Sequence, residues 1–313
     1  MAAPLILKRS VLAAKIEATH GTMETPTASD AAFNVFNARL QPQIEAASRD
    51  GQGASLSKLT RVPGAQGAVC EFDIELTGGA TPPAWALVFL PACGLGNTAG
   101  VFAPESKPPE AAGAKSETIT IWRYVDGKVR KMYGAMGTAQ FRFTAGQVII
   151  VHFTFTGIWG GVADATLLAP TYPTVAPLRM TDASWAIGAD TPVAAELVLD
   201  LGNDIYLRQH VSADNATGYH SAVIRDRNPI VTVTQETLLA ATYDPETCFT
   251  DRTELALAWE AGTTGNKVAF AAPKAQVVSP QEAELNGLAA DQIQFALNRN
   301  AAAGDDELTL TFS

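Results

Sequence analysis

The 313-residue chain sets 22 Lys and Arg against 32 Asp and Glu, a net charge of −10, with 47% hydrophobic and only 17% charged residues. That length suffices for about two domains with buried cores, and the composition argues against disordered, collagenous and low-complexity classes. No apolar run reaches the ~18 residues of a membrane span, and no basic block offers a grip on nucleic-acid phosphates. The unusual features are 54 Ala and 31 Thr beside few charges.

At the N-terminus, Ala2–Leu7 is too short for a signal peptide, and Lys8 and Arg9 follow it where they should precede it. The first strand signal is 69–76 (VCEFDIEL). A helix is expected over Pro83–Cys93, opened by Pro82 and Pro83, stopped by Gly94 and shortened by about a turn at Pro91. Strands at 118–125 and 128–134 flank Asp126-Gly127, a type I′ hairpin signal. In 151–156, Val151, Phe153 and Phe155 alternate with His152, Thr154 and Thr156, the pattern of a strand with one buried face. The Pro-rich stretch Pro170–Pro177 marks a boundary between domains 1–177 and 178–313.

The second half repeats that order of elements. A strand at 230–238 alternates Val231 and Val233 with Thr232 and Thr234. A short helix follows from Asp244 to about Asp251, then strands 254–260 and 267–273 joined at Gly265-Asn266. In 292–298, Ile293, Phe295 and Leu297 alternate with Gln292, Gln294, Ala296 and Asn298, and Leu308, Leu310 and Phe312 alternate in the last strand. The reading is a mainly β protein of two tandem sandwich or barrel domains, each with one short packed helix.

Catalytic signatures are missing: no GxSxG elbow, HExxH helix or Walker loop occurs. Gly94–Ala99 spells GxGxxA but follows a helix instead of a strand, the reverse of a dinucleotide site. His210 and His220 lack an evident third ligand, and Asp305-Asp306-Glu307 reads as a solvated turn more readily than a calcium site. Cys70, Cys93 and Cys248 are odd in number and unspaced for zinc, so they read as buried small hydrophobes of a reducing cytoplasm. Trp122 and Tyr124 read as surface aromatics, either a sugar platform or cross-strand packing. No catalytic residue, metal or cofactor is expected.

The residues do carry a resemblance. Lys15, Glu17, Thr19, Gly21 and Thr22, then Pro26, Thr27 and Asp30, resemble the opening of major tail tube proteins of long-tailed bacteriophages. The likeness continues through Glu45 and Arg49, Phe72–Leu76 and Gly78, and Pro82-Pro83-Ala84-Trp85 to Ala92-Cys93-Gly94. It closes with the Asp-Gly hairpin, Gly134, Gly137 and Phe153–Gly157, so it spans roughly residues 5–160. The second half shares mainly the element order.

The resemblance implies a structural virion protein whose rings stack into a hollow tail tube that conducts the genome. Implied partners are other copies of itself, a tape-measure protein in the lumen, tail terminator and tail-tip proteins, and DNA in transit, without membrane insertion. Assembly would occur in the host cytoplasm. With the domain duplicated, a trimeric ring of pseudo-sixfold geometry is expected. Alternatives are a tail-tip or terminator ring of the same fold, a contractile tail's tube, or a polysaccharide-binding or -cleaving β-sandwich. Lumen-lining faces are expected at His152, Thr154, Thr156, Thr232, Thr234, Gln292, Gln294 and Asn298. Inter-ring contacts are expected in the N-terminal arm 1–26, the polar loop 45–67 and its counterpart 200–229, at Lys15, Glu17, Arg49, Asp50, Ser55, Lys58, Arg61, Asp214, Arg225 and Arg227.

Overall fold

A computed structural model describes residues 4–53, 57–113, 115–181, 183–211 and 217–313. The chain is mainly β, with one short helix in each half. The first half holds β1 (Ser10–Ile16), β2 (Val35–Arg49), β3 (Leu59–Glu75), α1 (Ala84–Ala92), β4 (Leu95–Thr98), β5 (Val101–Pro104), β6 (Ile119–Val125), β7 (Lys128–Thr144) and β8 (Ile150–Asp164). The second holds β9 (Ala183–Ile187), β10 (Ala194–Asp200), β11 (Asn203–Gln209), β12 (Tyr219–Arg227), β13 (Ile230–Glu236), α2 (Pro245–Thr250), β14 (Glu254–Thr263), β15 (Asn266–Leu285), β16 (Leu288–Leu297) and β17 (Thr309–Phe312).

Strand pairing repeats between the halves. In the first, neighbours run β1-β6-β7-β8-β3-β2; in the second they run β9-β14-β15-β16-β13-β10. Each helix follows the third member of its set in chain order and precedes the next hairpin. The repeat therefore lies in topology, where residue identity shows little of it.

The two units share one sheet. The end of β7 pairs antiparallel with β10, setting Phe143 opposite Leu197 and Phe141 opposite Leu199. A second link runs through β17, which pairs with β15 on one side and β5 on the other. The segment around residue 177 carries no strand, and Leu178 ties back to the first half, donating to Leu76 and accepting from Ile149. One buried cluster spans both halves, from Phe72, Phe89 and Phe153 to Trp259, Phe270 and Phe295. Aromatic edges bridge them: Phe143 lies 5.2 Å from Phe270 and 6.2 Å from Trp259, ring centre to ring centre.

Local elements follow the residues closely. Asp126 (φ 41°) and Gly127 (φ 103°) both occupy the left-handed region that a type I′ turn demands. In α1, Pro91 stays inside the helix, where the sequence suggested an earlier end. It sits in the last turn, so it forgoes a single backbone bond, while Trp85, Phe89 and Leu90 anchor the helix in the core. Asp244 caps α2 by accepting from the Thr247 amide at 3.0 Å, with Pro245 in the first turn. The second hairpin turns one residue earlier than expected, because Thr263 pairs with Asn266 and leaves Thr264-Gly265 as the loop.

Residues 45–67, expected as a loop, are largely hairpin. Strands β2 and β3 pair out to Arg49 and Leu59, well past Gly67 where β8 stops supporting them. The counterpart at 200–229 is also a hairpin, β11–β12.

Candidate functional site

Pairs that face each other across an antiparallel sheet project to the same side. Following the register from strand to strand therefore traces one face. One row runs Asp73, His152, Gln140, Asp200, Ile230, Ala296 and Gln276. The next runs Ile150, Arg142, Val198, Thr232, Gln294 and Ser279, and a third runs Thr144, Glu196, Thr234, Gln292 and Gln281. The alternate residues, among them Phe153, Phe155, Phe141, Leu199, Val231, Val233, Ile293 and Phe295, are buried in the core.

The faces expected to be wetted in each half thus lie on one uninterrupted surface. It crosses eight strands in the order β2-β3-β8-β7-β10-β13-β16-β15, four from each half. His152, Thr154, Thr156, Thr232 and Thr234 are half-buried, and Gln292 and Gln294 are exposed. Asn298 stands just beyond β16, where its amide donates to Glu254 at 3.0 Å. The side chains hold one another along the surface: Asp73 lies 2.6 Å from His152 Nδ1 and accepts from Asn37 at 2.8 Å, and Arg142 donates to Gln140 at 2.7 Å. Glu71, Asp73, Glu75, Glu196 and Asp200 outnumber Arg39 and Arg142 here, so the surface is polar and net acidic.

Arg49, Asp50, Lys58 and Arg61 are exposed along the β2–β3 hairpin, with Lys58 3.3 Å from Asp50. Arg225, exposed on β12, pairs with Asp204 at 2.7 Å and lies 5.0 Å over the Tyr206 ring. Lys15 is occupied by Glu24 at 2.9 Å. Ser55 and Asp214 lie outside the described residues.

Glu17 is a correction, because it serves the chain's own interior, and Arg227 is taken up by ion pairs within the chain. Glu17 is 2% exposed and accepts from Thr118, Thr120 and the Gly21 and Gly134 amides at 2.6–2.9 Å. Burial raises its pKa above the ordinary carboxylate value, and the four donors pull the other way. Arg227, half-buried, is held between Asp305 and Glu307.

The other sequence candidates resolve into structural roles. Tyr124 is buried at 4% exposure against Val11, Ala13 and Val129, so it offers no surface platform, and Trp122 carries Lys131 over its ring at 4.3 Å. The residues after Gly94 form the β4–β5 hairpin with no helix behind them, which leaves no dipole for a phosphate. His210 and His220 stack at 5.7 Å, and Arg208 approaches His220 Nδ1 at 2.9 Å; burial and that cation lower the His220 pKa. The carboxylate of Asp306 caps the Asn300 and Ala301 amides. Among the described residues no three His, Cys, Asp or Glu side chains gather as a metal site requires. Burial pushes the Cys70 thiol to about 12 and raises Cys93, whereas Cys248 is only half-buried.

Sequence reasoning missed the two ends of the eight-strand surface. At one end β2 pairs with β3 alone, and at the other the last residues of β15, Gln281–Leu285, pair with β16 alone. The readable signal was Asn286-Gly287, a second hairpin turn with both residues at positive φ, closing the β15–β16 arm. No family model matches the chain, and no curated protein matches it in sequence. No helix among the described residues is long and apolar enough to cross a membrane.

Proposed function

We propose that the chain is a structural subunit of a bacteriophage tail tube, and that its polar sheet surface lines the channel. The observation that carries this reading is the merging of both halves' polar faces into one antiparallel surface with a strand edge open at each end. An open edge is an aggregation hazard unless it is paired or covered, and closure into a ring removes it. A surface of Thr, Gln and carboxylates with few cations suits a conduit for DNA. Few cationic side chains are present to displace the phosphates' counterions, and the acidic balance repels the phosphates weakly.

The duplicated unit favours three copies per ring with six similar sectors. Each copy contributes eight strands to the surface. Three copies would close about 24 strands at ~4.8 Å spacing, a circumference of about 115 Å before tilt. Barrels of about 16–18 strands already enclose an aqueous channel, so a closure of this size is hollow. The hairpin β2–β3, exposed from Gln41 to Gly53, and the β11–β12 hairpin supply the surfaces for stacking. A tape-measure protein would occupy the lumen during assembly, with terminator and tip proteins at the two ends, and no catalytic step is assigned.

Electron microscopy of the purified protein, and of particles containing it, tests the reading. Stacked rings with an open channel and threefold symmetry are expected. Six equivalent copies per ring overturn the trimeric arrangement. Single rings that never stack move the assignment to a terminator or tip ring, and a monomer at all concentrations overturns the tube reading.

A further inference from the structure

The junction inside the chain is a template for a junction between chains. Strand β16 meets β13 as β8 meets β3: Ile293 and Phe295 face Val233 and Val231, while Phe153 and Phe155 face Phe72 and Cys70. Carried across those pairs, Gln281 and Ala283 of β15 correspond to Gln140 and Arg142 of β7. Gln41 and Arg39 of β2 correspond to Asp200 and Val198 of β10. Within the chain, Gln140 faces Asp200 and Arg142 faces Val198. The equivalent edges, β15 from Gln281 to Leu285 and β2 from Phe36 to Gln41, have no second partner strand among the described residues.

We propose that β2 of one copy adds antiparallel to the β15 edge of a second copy, setting Gln41 opposite Gln281 and Arg39 opposite Ala283. The proposal rests on the tube reading only for its ring closure. The contact is head to tail, so each copy offers one edge of each kind, and such heterologous contacts form closed rings or open filaments.

Charge supports the same partner independently. Beside β2 stand Arg39, Arg123 and Arg130, none of them ion-paired among the described residues, and the buried Arg123 Nε has no hydrogen-bond partner. Arg130 donates to the Leu40 carbonyl of this strand at 3.0 Å. Burial, followed by the nearby positive charges of Arg130 and Arg39, lowers the Arg123 pKa. At the other end, Glu282 and Glu284 are exposed and unpaired among the described residues. Glu282 rims a recess of about 390 Å³ that also contains Asp244, Glu246, Asp291 and the unpartnered Tyr243 hydroxyl. Docking in the template's register carries the arginine group of one copy to the acidic rim of the next, which is the complementarity that steers association.

The full chain with Arg39→Cys and Ala283→Cys, in a Cys248→Ser background, tests the register. Facing residues of an antiparallel pair stand close enough for a disulfide, whereas a pair shifted by four residues does not. Mild oxidation should give covalent dimers and trimers on denaturing gels, with yield roughly tenfold above that of the shifted pair Gln43→Cys and Ala283→Cys. Glu282→Lys with Glu284→Lys should leave the thermal midpoint unchanged while driving the protein toward monomer in sedimentation.

Rings visible by microscopy without the Arg39–Ala283 cross-link overturn this seam and leave the tube reading standing. Cross-linked trimers that never stack support the seam and overturn the tube. A chain that stays monomeric and uncross-linked overturns the seam outright.

Discussion

Phe143 reports whether the two halves act as one folding unit. It belongs to β7 of the first half, is fully buried, and meets Phe270 edge-on at 5.2 Å and Trp259 at 6.2 Å, both in the second half. Phe143→Ala removes the ring and leaves a cavity in a close-packed core, a cost of about 3–5 kcal/mol. With an unfolding entropy of roughly 2.1 cal/mol/K per residue, a cooperative chain of this length should lose about 1.5 °C of midpoint per kcal/mol. The expected shift is therefore about 5–8 °C. Calorimetry should show one transition moving as a whole, with tryptophan fluorescence following the same midpoint. Because the Phe143 and Phe270 rings touch, Phe143→Ala combined with Phe270→Ala should cost less than the sum of the two single changes, by about 0.5–1.5 kcal/mol. Two resolved transitions, only one of which moves, would refute the shared core.

Glu17 links stability to pH with a definite sign. Its folded pKa is raised above the ordinary carboxylate value, so the stability it contributes is fully present below that value and is lost as pH rises through the folded pKa. The stability of the wild type relative to Glu17→Gln, measured by urea unfolding across pH, should fall as pH increases from about 4, and a flat or rising difference contradicts the assignment. Thr154→Lys with Gln294→Lys should fold within ~0.5 kcal/mol of wild type, since both side chains lie on the wetted face. Assembled tubes of that variant should retain DNA in low salt and release it in high salt; unchanged DNA binding would place this face outside the channel. Association between copies should weaken as salt is raised, because screening shortens from about 10 Å at 0.1 M to about 3 Å at 1 M, while the chain's own midpoint stays put. Salt-insensitive assembly would argue against the complementarity of the arginine group beside β2 and the acidic rim at Glu282.

Alternation made the inner strands legible. Residues 151–156, 231–234 and 292–298 each show a core face and a wetted face, and the structure buries the expected members of every set. The edge strand β2 was illegible for a physical reason: it is polar on nearly all sides, carries Pro42, and is exposed through most of its length. An edge needs neither alternation nor an unbroken row of amide donors. The outer part of β3 hides similarly behind Pro63 and Gly64. Glu17 was misplaced because charge ordinarily signals surface, and its donors Thr118, Thr120 and Gly134 are more than a hundred positions away in sequence. The joining of the halves escaped notice for a comparable reason. A register between Phe143 and Leu197 depends on which edges meet, and local sequence carries no record of that.

Under the proposed seam the duplicated unit would use one kind of junction in two chemical versions, and the difference is ordered. Where β7 meets β10, Phe141 and Phe143 face Leu199 and Leu197, and the seam closes over apolar side chains that cannot be left in water. At the corresponding open edge, β15 presents Glu282 and Glu284 where β7 presents Phe141 and Phe143. An apolar strand edge there would pair with whatever it met first, including wrong registers and wrong ends. Charged side chains at the edge keep the copies apart until a complementary edge arrives, and they disfavour pairing of β15 with another β15. The covalent link can use hydrophobic burial because its register is set by the chain itself. The junction between copies must select both partner and register, and opposite charges on the two edges provide that selection.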